Sequence, residues 1–401
     1  MRVFHINSVV NTGSTGRIVE DIGRVLIEKG HQSYIAFGRD LGSLQSTSIL
    51  VKIGNKLNVI WHGINTLLLD NHAFVNDFAT KKLIKRIELI QPDVVALYNL
   101  HGYYINVEYL FRYLRKKGIP VVWTLFDCWA FTGHCTYFDN IGCIKWKTSC
   151  TECPKYNVYP RSFVDNSRKN YQKKKELFNN LTNLQIITHS NWLRELVSES
   201  FLGGHQIHLI HSAVDLKIFK PTNFKLSNRY DFLNKKILLG CANIWTDRKG
   251  FKDFLNLANM CKSDTIIVLV GVSQDQKKLL PSNIIGITRT ENTEELAMWY
   301  SLADVFVNLT YMDNFPTTNI EALACGTPVI TYNTGGSPES IDENTGFVVE
   351  KGDLIGVINS INILMKRNKD ELSINCRKRA LTMFDKETRF LDYIKVFENS
   401  I

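Results

Sequence analysis

Apolar and polar positions along this chain repeat one rhythm: a short apolar run, a turn, then a stretch with apolar residues three and four apart. The first instance is a strand at residues 3–10, the turn Asn11-Thr12-Gly13-Ser14-Thr15-Gly16, and a helix with Ile18, Ile22 and Leu26 on one face. Gly30 stands where a helix C-terminal glycine belongs. Further apolar runs predict strands at 31–38, 93–99, 120–126, 184–190 and 206–211, with helices between them, such as 107–117 and 191–199. A polar stretch, 217–235, reads as a linker, and the rhythm then restarts. Strands are expected at 236–243, 264–272, 284–288, 304–309 and 328–332, with helices at 251–261, 293–302 and about 319–325. Strands alternating with helices imply parallel sheets covered on both faces. At 401 residues the chain exceeds what one core usually organises. The expectation is an α/β chain of two doubly wound, Rossmann-like domains, 1–218 and 219–380. They would face across a ligand cleft at the strand carboxyl ends, with a C-terminal helix, 381–401, returning to the first domain.

Composition narrows the class. A hydrophobic fraction of 44% fits a globular chain, and the longest apolar runs, such as 265–272, are far too short to span a bilayer. The first residues hold no long apolar core, so no signal peptide is read and a cytoplasmic location is expected. The net charge of +9 gathers in Lys81, Lys82, Lys85 and Arg86, in Arg112, Arg115, Lys116 and Lys117, and in Lys173, Lys174 and Lys175. Solvated helix faces are the plain account; attraction to a phosphate-rich surface is the sharper one. The stretch 61–78, with Leu67, Leu68 and Leu69 beside Lys81 and Lys82, reads first as a buried helix. Its alternative is peripheral contact with an anionic membrane at the inner face.

The densest chemistry lies in Tyr311-Met312-Asp313-Asn314-Phe315-Pro316-Thr317-Thr318-Asn319-Ile320-Glu321. A loop after a strand carries Asp313, and the next helix carries Glu321. Amides at that helix start, near Thr317 and Thr318, suit a diphosphate. A carboxylate one turn further in can reach vicinal hydroxyls such as a ribose presents. The same residues have a plainer account, because Thr318-Asn319-Ile320-Glu321 is a capping box in which Glu321 only closes the helix end. A second strand-to-helix turn, Asn333-Thr334-Gly335-Gly336-Ser337-Pro338-Glu339, has Pro338 at a first helical position and can point at the same anion. Upstream, Arg248 and Lys249 come after another strand and suit a diphosphate leaving group. Cations at a helix start are otherwise unfavourable unless something anionic is present.

These elements, in this order, resemble the retaining glycosyltransferases of family 4, which have the GT-B fold. Asp313 and Glu321 stand eight apart, as in that family's E-x7-E element. Gly326-Thr327-Pro328-Val329-Ile330, Gly335-Gly336 and Arg248-Lys249-Gly250 match as well, and the likeness covers nearly the whole chain. The resemblance implies that Glu321 binds the donor ribose, Asp313 holds sugar hydroxyls, and amides near Thr317 and Thr318 hold phosphate. Lys249, with Arg248, would stabilise the departing diphosphate, and Asn314, Phe315, Gly335 and Gly336 would complete the donor side. Two departures stand out: the first acidic position is Asp313 instead of Glu, and an arginine often found six residues before the lysine is Asn243 here.

In the same family the first βα turn approaches the donor phosphate, which here implicates Gly13 and Gly16. That turn lacks the third glycine of a dinucleotide fingerprint, and an ordinary βα turn is its alternative. His101, within Asn99-Leu100-His101-Gly102-Tyr103-Tyr104, matches the family's sugar-contacting histidine, with Tyr103 and Tyr104 beside it on the acceptor side. Asp127 closes a strand, but Phe126 stands where the family often has His. The activity implied is hexosyl transfer with retention, from a nucleotide-sugar donor to a glycan or lipid-linked acceptor, in cell-surface polysaccharide biosynthesis. No metal or cofactor is assigned to the chemistry.

Nine cysteines remain, five of them between Cys128 and Cys153. In a cytoplasmic chain they are not a disulfide framework. Cys135, Cys143, Cys150 and Cys153 form a candidate structural zinc site that would order a long loop, with free thiols as the alternative. Competing functions are a nucleotide-sugar epimerase on the same fold, a basic nucleic-acid-binding protein with a zinc knuckle, and an NAD-linked oxidoreductase. The donor-like second half argues against a nucleic-acid partner. The incomplete glycine fingerprint, and Arg39 beside Asp40 after the second strand, argue against NAD.

Overall fold

A computed structural model describes residues 1–40, 45–222, 232 and 234–401. Most of the expected linker, 223–231 and 233, lies outside the described residues. The chain divides into two units, Met1–Ile210 with Phe390–Ile401, and His211–Arg389. The break falls earlier than residue 218 because Val214 already belongs to the second unit, where its N–H donates to Phe384 O at 2.9 Å.

The first unit has strands β1 (Arg2–Asn7), β2 (Gln32–Phe37), β3 (Ile49–Lys52), β4 (Val94–Leu97), β5 (Val121–Leu125), β6 (Leu184–Thr188) and β7 (Gln206–Leu209). They form one parallel sheet in the order β3-β2-β1-β4-β5-β6-β7. β1 stops short of residue 10 because Asn7 turns its side chain to donate to Val9 O at 2.8 Å. β3 was not expected: it has exposed ends, and its apolar run, Ile49-Leu50-Val51, is only three residues long. β4 and β5 are buried throughout, as strands covered on both faces must be. Trp123 of β5 packs against Phe111 and Phe178 at centroid distances of 5.6 and 4.9 Å, and its indole donates to Tyr98 O at 3.0 Å. Burial of each such ring stabilises by about 1.5–3 kcal/mol. The end of the chain packs here too: Tyr393 and Phe397 are buried, the Phe397 ring lying 6.1 Å from that of His5.

The second unit has β8 (Lys236–Cys241), β9 (Thr265–Val270), β10 (Ile284–Ile287), β11 (Val305–Asn308), β12 (Val329–Tyr332) and β13 (Gly346–Val349). Their order is β10-β9-β8-β11-β12-β13, again parallel. The helix Thr317–Ala324 buries Ile320, Ala322, Leu323 and Ala324. It ends at Cys325, and Gly326 comes next at φ +81°, a left-handed position suited to glycine after a helix.

Candidate active site

Each sheet reverses its strand order once, between β1 and β4 in the first unit and between β8 and β11 in the second. Neighbouring connections diverge at such a point, so the loops beyond the strand carboxyl ends are left accessible to ligands. The loops leaving β8 and β11 carry Arg248, Lys249 and Asp313.

Local chemistry builds the Lys249 position. After β8, Trp245 turns inward and its indole donates to Val270 O at 2.9 Å. A single 3-10 turn, Asp247–Lys249, then stops at Gly250, which has a left-handed φ of +77°. A Cβ at Gly250 would also collide with the Leu309 carbonyl, so two constraints require glycine. This close approach lets Tyr311 N donate to Arg248 O at 2.8 Å and the Arg248 guanidinium donate to Met312 O at 2.9 Å. Lys249 Nζ donates to Asp313 Oδ2 at 2.6 Å, with side chains 26% and 19% exposed. Arg248 therefore braces the backbone of the Asp313 loop, while Lys249 and Asp313 neutralise each other.

Glu321 is not a cap. Pro316 is the N-cap of the helix Thr317–Ala324; it makes no side-chain cap bond, it has no N–H for a capping box, and Thr318 lies inside the helix. Glu321 Oε2 instead accepts the Tyr300 hydroxyl at 2.9 Å. Tyr300 is fully buried, and burial first, then the charges of Cys241 and Glu321, hold its phenol well above the usual range. The Cys241 thiol, at the end of β8, is pushed up to about 12 by burial and by the Glu321 charge, with Lys249 opposing. One thiol thus senses both Glu321 and Lys249, so these groups gather at one strand end. Thr317 and Thr318 are half-buried in the first helical turn, whose amides lack intrahelical acceptors.

The Gly335-Gly336 turn is stapled to the same loop, Gly336 N donating to Asn314 O at 2.8 Å. It leads into a four-residue 3-10 turn, Ser337–Ser340, and not into the full helix expected there. Asn314 and Phe315 are buried; the Phe315 ring packs on His211 and Phe384 at 5.2 and 5.7 Å. Asn319, also buried, accepts from Asn308 at 2.7 Å and donates to Ser340 at 2.9 Å, tying helix, strand and turn together.

In the first unit, Gly13 begins the helix Gly13–Glu28 at φ +64°, one turn earlier than the pattern suggested. Gly16 packs the helix against its own loop, since a Cβ there would lie 3.1 Å from Val9 Cγ2 and 3.2 Å from Asn11 N. Beyond β4, His101 Nε2 stands 2.8 Å from Asp127 Oδ2. The two atoms are close but not lined up as a hydrogen bond. Tyr159 donates to His101 O at 2.6 Å, and Asp127 Oδ1 accepts from Trp129 N at 2.9 Å. Tyr103 is half-buried, its ring 4.7 Å from that of His72. Tyr104 is a correction: it is a core side chain whose hydroxyl donates to Asn99 O at 2.9 Å, because the chain turns inward after the left-handed Tyr103. Tyr300, His72, Trp129 and Tyr159 were missed from sequence. Tyr300, His72 and Tyr159 reach their sites from distant segments, Trp129 follows Asp127 by two residues, and no local motif marks any of them.

The cysteine loop is ordered by packing. Phe131 and Phe138 stack around Trp146 at 5.4 and 5.0 Å. Lys174, buried and pushed down to about 7 by that burial, donates to Trp129 O at 2.8 Å and Thr132 O at 3.0 Å. Cys135, Cys143, Cys150 and Cys153 are free thiols lining one small cavity. Among the described residues, no group of three or more His, Cys, Asp or Glu is placed to hold a metal ion.

Two family descriptions match the chain: Glycosyltransferase Family 4 over residues 15–218, just over half of it, and Glycosyl transferases group 1 over 224–382. A relative named for colanic acid biosynthesis, the glycosyl transferase WcaC of Escherichia coli, is 23% identical over 89% of each chain. The capsular polysaccharide biosynthesis glycosyltransferase CapM of Staphylococcus aureus is 24% identical over 44% of this chain and half of its own. In fold, a sucrose-phosphate synthase from Thermosynechococcus elongatus superposes with a TM-score of 0.73 at 17% identity, covering 99% of this chain and 98% of its own. HepE of Anabaena, solved with UDP, superposes over the whole of both chains with a TM-score of 0.69 at 14% identity. With two parallel-sheet units and these matches, the chain belongs to glycosyltransferase family 4 and has the GT-B fold.

Proposed function

We propose that this glycosyltransferase takes its sugar from a nucleotide-sugar donor bound in the second unit and transfers it, with retention, to a glycan or lipid-linked acceptor of polysaccharide biosynthesis. The observation that carries the donor reading is the Lys249–Asp313 pair at the strand-order reversal, with Glu321 held by Tyr300 at the same strand end. A donor diphosphate would draw Lys249 away from Asp313, freeing the carboxylate for sugar hydroxyls and placing the ammonium on the leaving group. As the bond from the anomeric carbon to the diphosphate breaks, its electron pair goes to the diphosphate, where Lys249 and the first-turn amides near Thr317 and Thr318 stabilise it. The acceptor hydroxyl oxygen forms the new bond to the anomeric carbon and passes its proton to the departing diphosphate oxygen. Retention comes from the family resemblance. His101 and Asp127 in the first unit are the candidate sugar- and acceptor-side groups.

Support for the donor class comes from HepE, whose solved complexes include UDP-glucose. Support for the pathway class comes from the names of the colanic acid and capsular polysaccharide relatives. The test is a thermal-shift screen with nucleoside diphosphates and sugar nucleotides, on wild type and Lys249→Met. At least one nucleoside diphosphate should raise Tm, and Lys249→Met should remove most of that rise. A wild-type protein indifferent to the whole panel refutes the reading.

A further inference from the structure

The helix Lys56–Leu69 presents the wrong face to its own core. Its buried residues are the polar His62 and Thr66. Leu57, Ile60, Trp61, Ile64 and Leu68 are 43% to 73% exposed, and their spacing of i, i+3, i+4, i+7 and i+11 makes one apolar stripe facing outward. The polar face is committed: His62 Nε2 accepts from Ala73 N at 2.8 Å, His62 Nδ1 lies 3.1 Å from Asn76 Nδ2, and Thr66 donates to His62 O at 2.9 Å. The helix cannot roll its apolar stripe inward without breaking these buried bonds. At its C-terminal end the stripe continues onto Phe163 and Val164, both exposed, with Phe163 N donating to Leu67 O at 2.7 Å. This corrects the sequence reading of the segment as buried.

Charge selects the occupant. The helix has no acidic residue and opens on exposed Lys56. The Arg161 guanidinium lies over the Phe163 ring at 5.8 Å, and Lys82, beside exposed Lys81, lies over the exposed Phe78 ring at 4.5 Å. The next carboxylates along the chain are engaged: Asp70 is buried, bonding His134 at 2.7 Å and Asn166 N at 3.0 Å, and Asp77 accepts from Asn106 at 2.6 Å. A second copy docked on this stripe would bring like charges together. An anionic bilayer suits both features, taking leucine, isoleucine and tryptophan among its acyl chains and lysine and arginine at its phosphates.

We propose that the stripe from Leu57 to Leu68, extended by Phe163 and Val164, rests in the interface of an anionic membrane. The helix lies in the membrane plane over a length of about 21 Å. The proposal uses no donor-site residue and stands independently of the donor reading.

The test is co-sedimentation of the full chain with vesicles of phosphatidylcholine alone or mixed with phosphatidylglycerol. Wild type should bind the mixed vesicles, more weakly at high salt. Ile60→Ser/Ile64→Ser/Leu68→Ser, at exposed positions, should melt like wild type and bind at least about tenfold more weakly. Lys81→Gln/Lys82→Gln/Arg161→Gln should lose the preference for phosphatidylglycerol. Absence of binding to any vesicle, or equal binding by the triple-serine variant, overturns the proposal. So does a wild-type dimer in sedimentation velocity that the triple-serine variant abolishes, which would assign the stripe to a second copy.

Discussion

Tyr300→Phe removes one oxygen from a ring that is otherwise fully packed, so it opens almost no cavity. The lost contact is the hydroxyl donated to Glu321 Oε2 at 2.9 Å. A hydrogen bond to a charged group contributes about 1.5–3 kcal/mol, and because Glu321 is only half-buried, solvent screening reduces this to about 1–2 kcal/mol. If Glu321 binds the donor, part of that energy orients the carboxylate for its ligand, and the variant should bind a nucleoside diphosphate about 5–30 times more weakly. Isothermal titration with UDP and UDP-glucose measures this, with circular dichroism confirming an unchanged fold. Tyr300 is a positioning residue, so its effect should vanish once Glu321 no longer acts. In a Glu321→Gln background, Tyr300→Phe should cost no more than a small further factor. Unaltered affinity in Tyr300→Phe, or losses that simply add in the double variant, would refute the role given to Glu321.

Gly250→Ala meets both a left-handed backbone and the Leu309 carbonyl, and should lower stability by about 2–4 kcal/mol in urea titration. A change within about 0.5 kcal/mol would show that the loops can separate freely. Burial is the largest single influence on His134 and lowers its pKa, but the hydrogen bond to Asp70, the Asp70 and Cys153 charges and the Val158 carbonyl together outweigh it and leave the pKa above the ordinary value. A raised histidine stabilises fully below its unfolded pKa of about 6.5, and loses that contribution as pH climbs through the folded value. His134→Asn keeps an N–H for Asp70 but cannot take the proton, so the stability gap between wild type and variant should be largest in acid and shrink at alkaline pH. A gap that widens with rising pH would reverse the sign and discard the assignment.

The two-unit α/β architecture was legible because parallel strands covered on both faces need continuous apolar runs, and β5, β8 and β9 are such runs. β3 and β13 escaped because each is only four residues long, three of them apolar, and so short a run carries little pattern. Lys249, Asp313 and Glu321 were readable because each sits in a loop or one turn into a helix, where spacing is local. The capping-box alternative for Glu321 fell only when the helix was seen to begin after Pro316.

Local sequence was enough to set the order of strands and helices and the residues at each strand end, since backbone periodicity and turn chemistry act over a few neighbours. Long-range packing chose which of those residues meet. Lys249 and Asp313 pair across 64 positions of chain, and Tyr300 reaches Glu321 from another helix. Packing also turned the leucine-rich helix 56–69 outward, although its composition reads as core. The reason is the same in both cases. A helix's apolar content is local, but the face it buries is chosen by the contacts it makes, here the His62 and Thr66 hydrogen bonds, and no short window of sequence contains them.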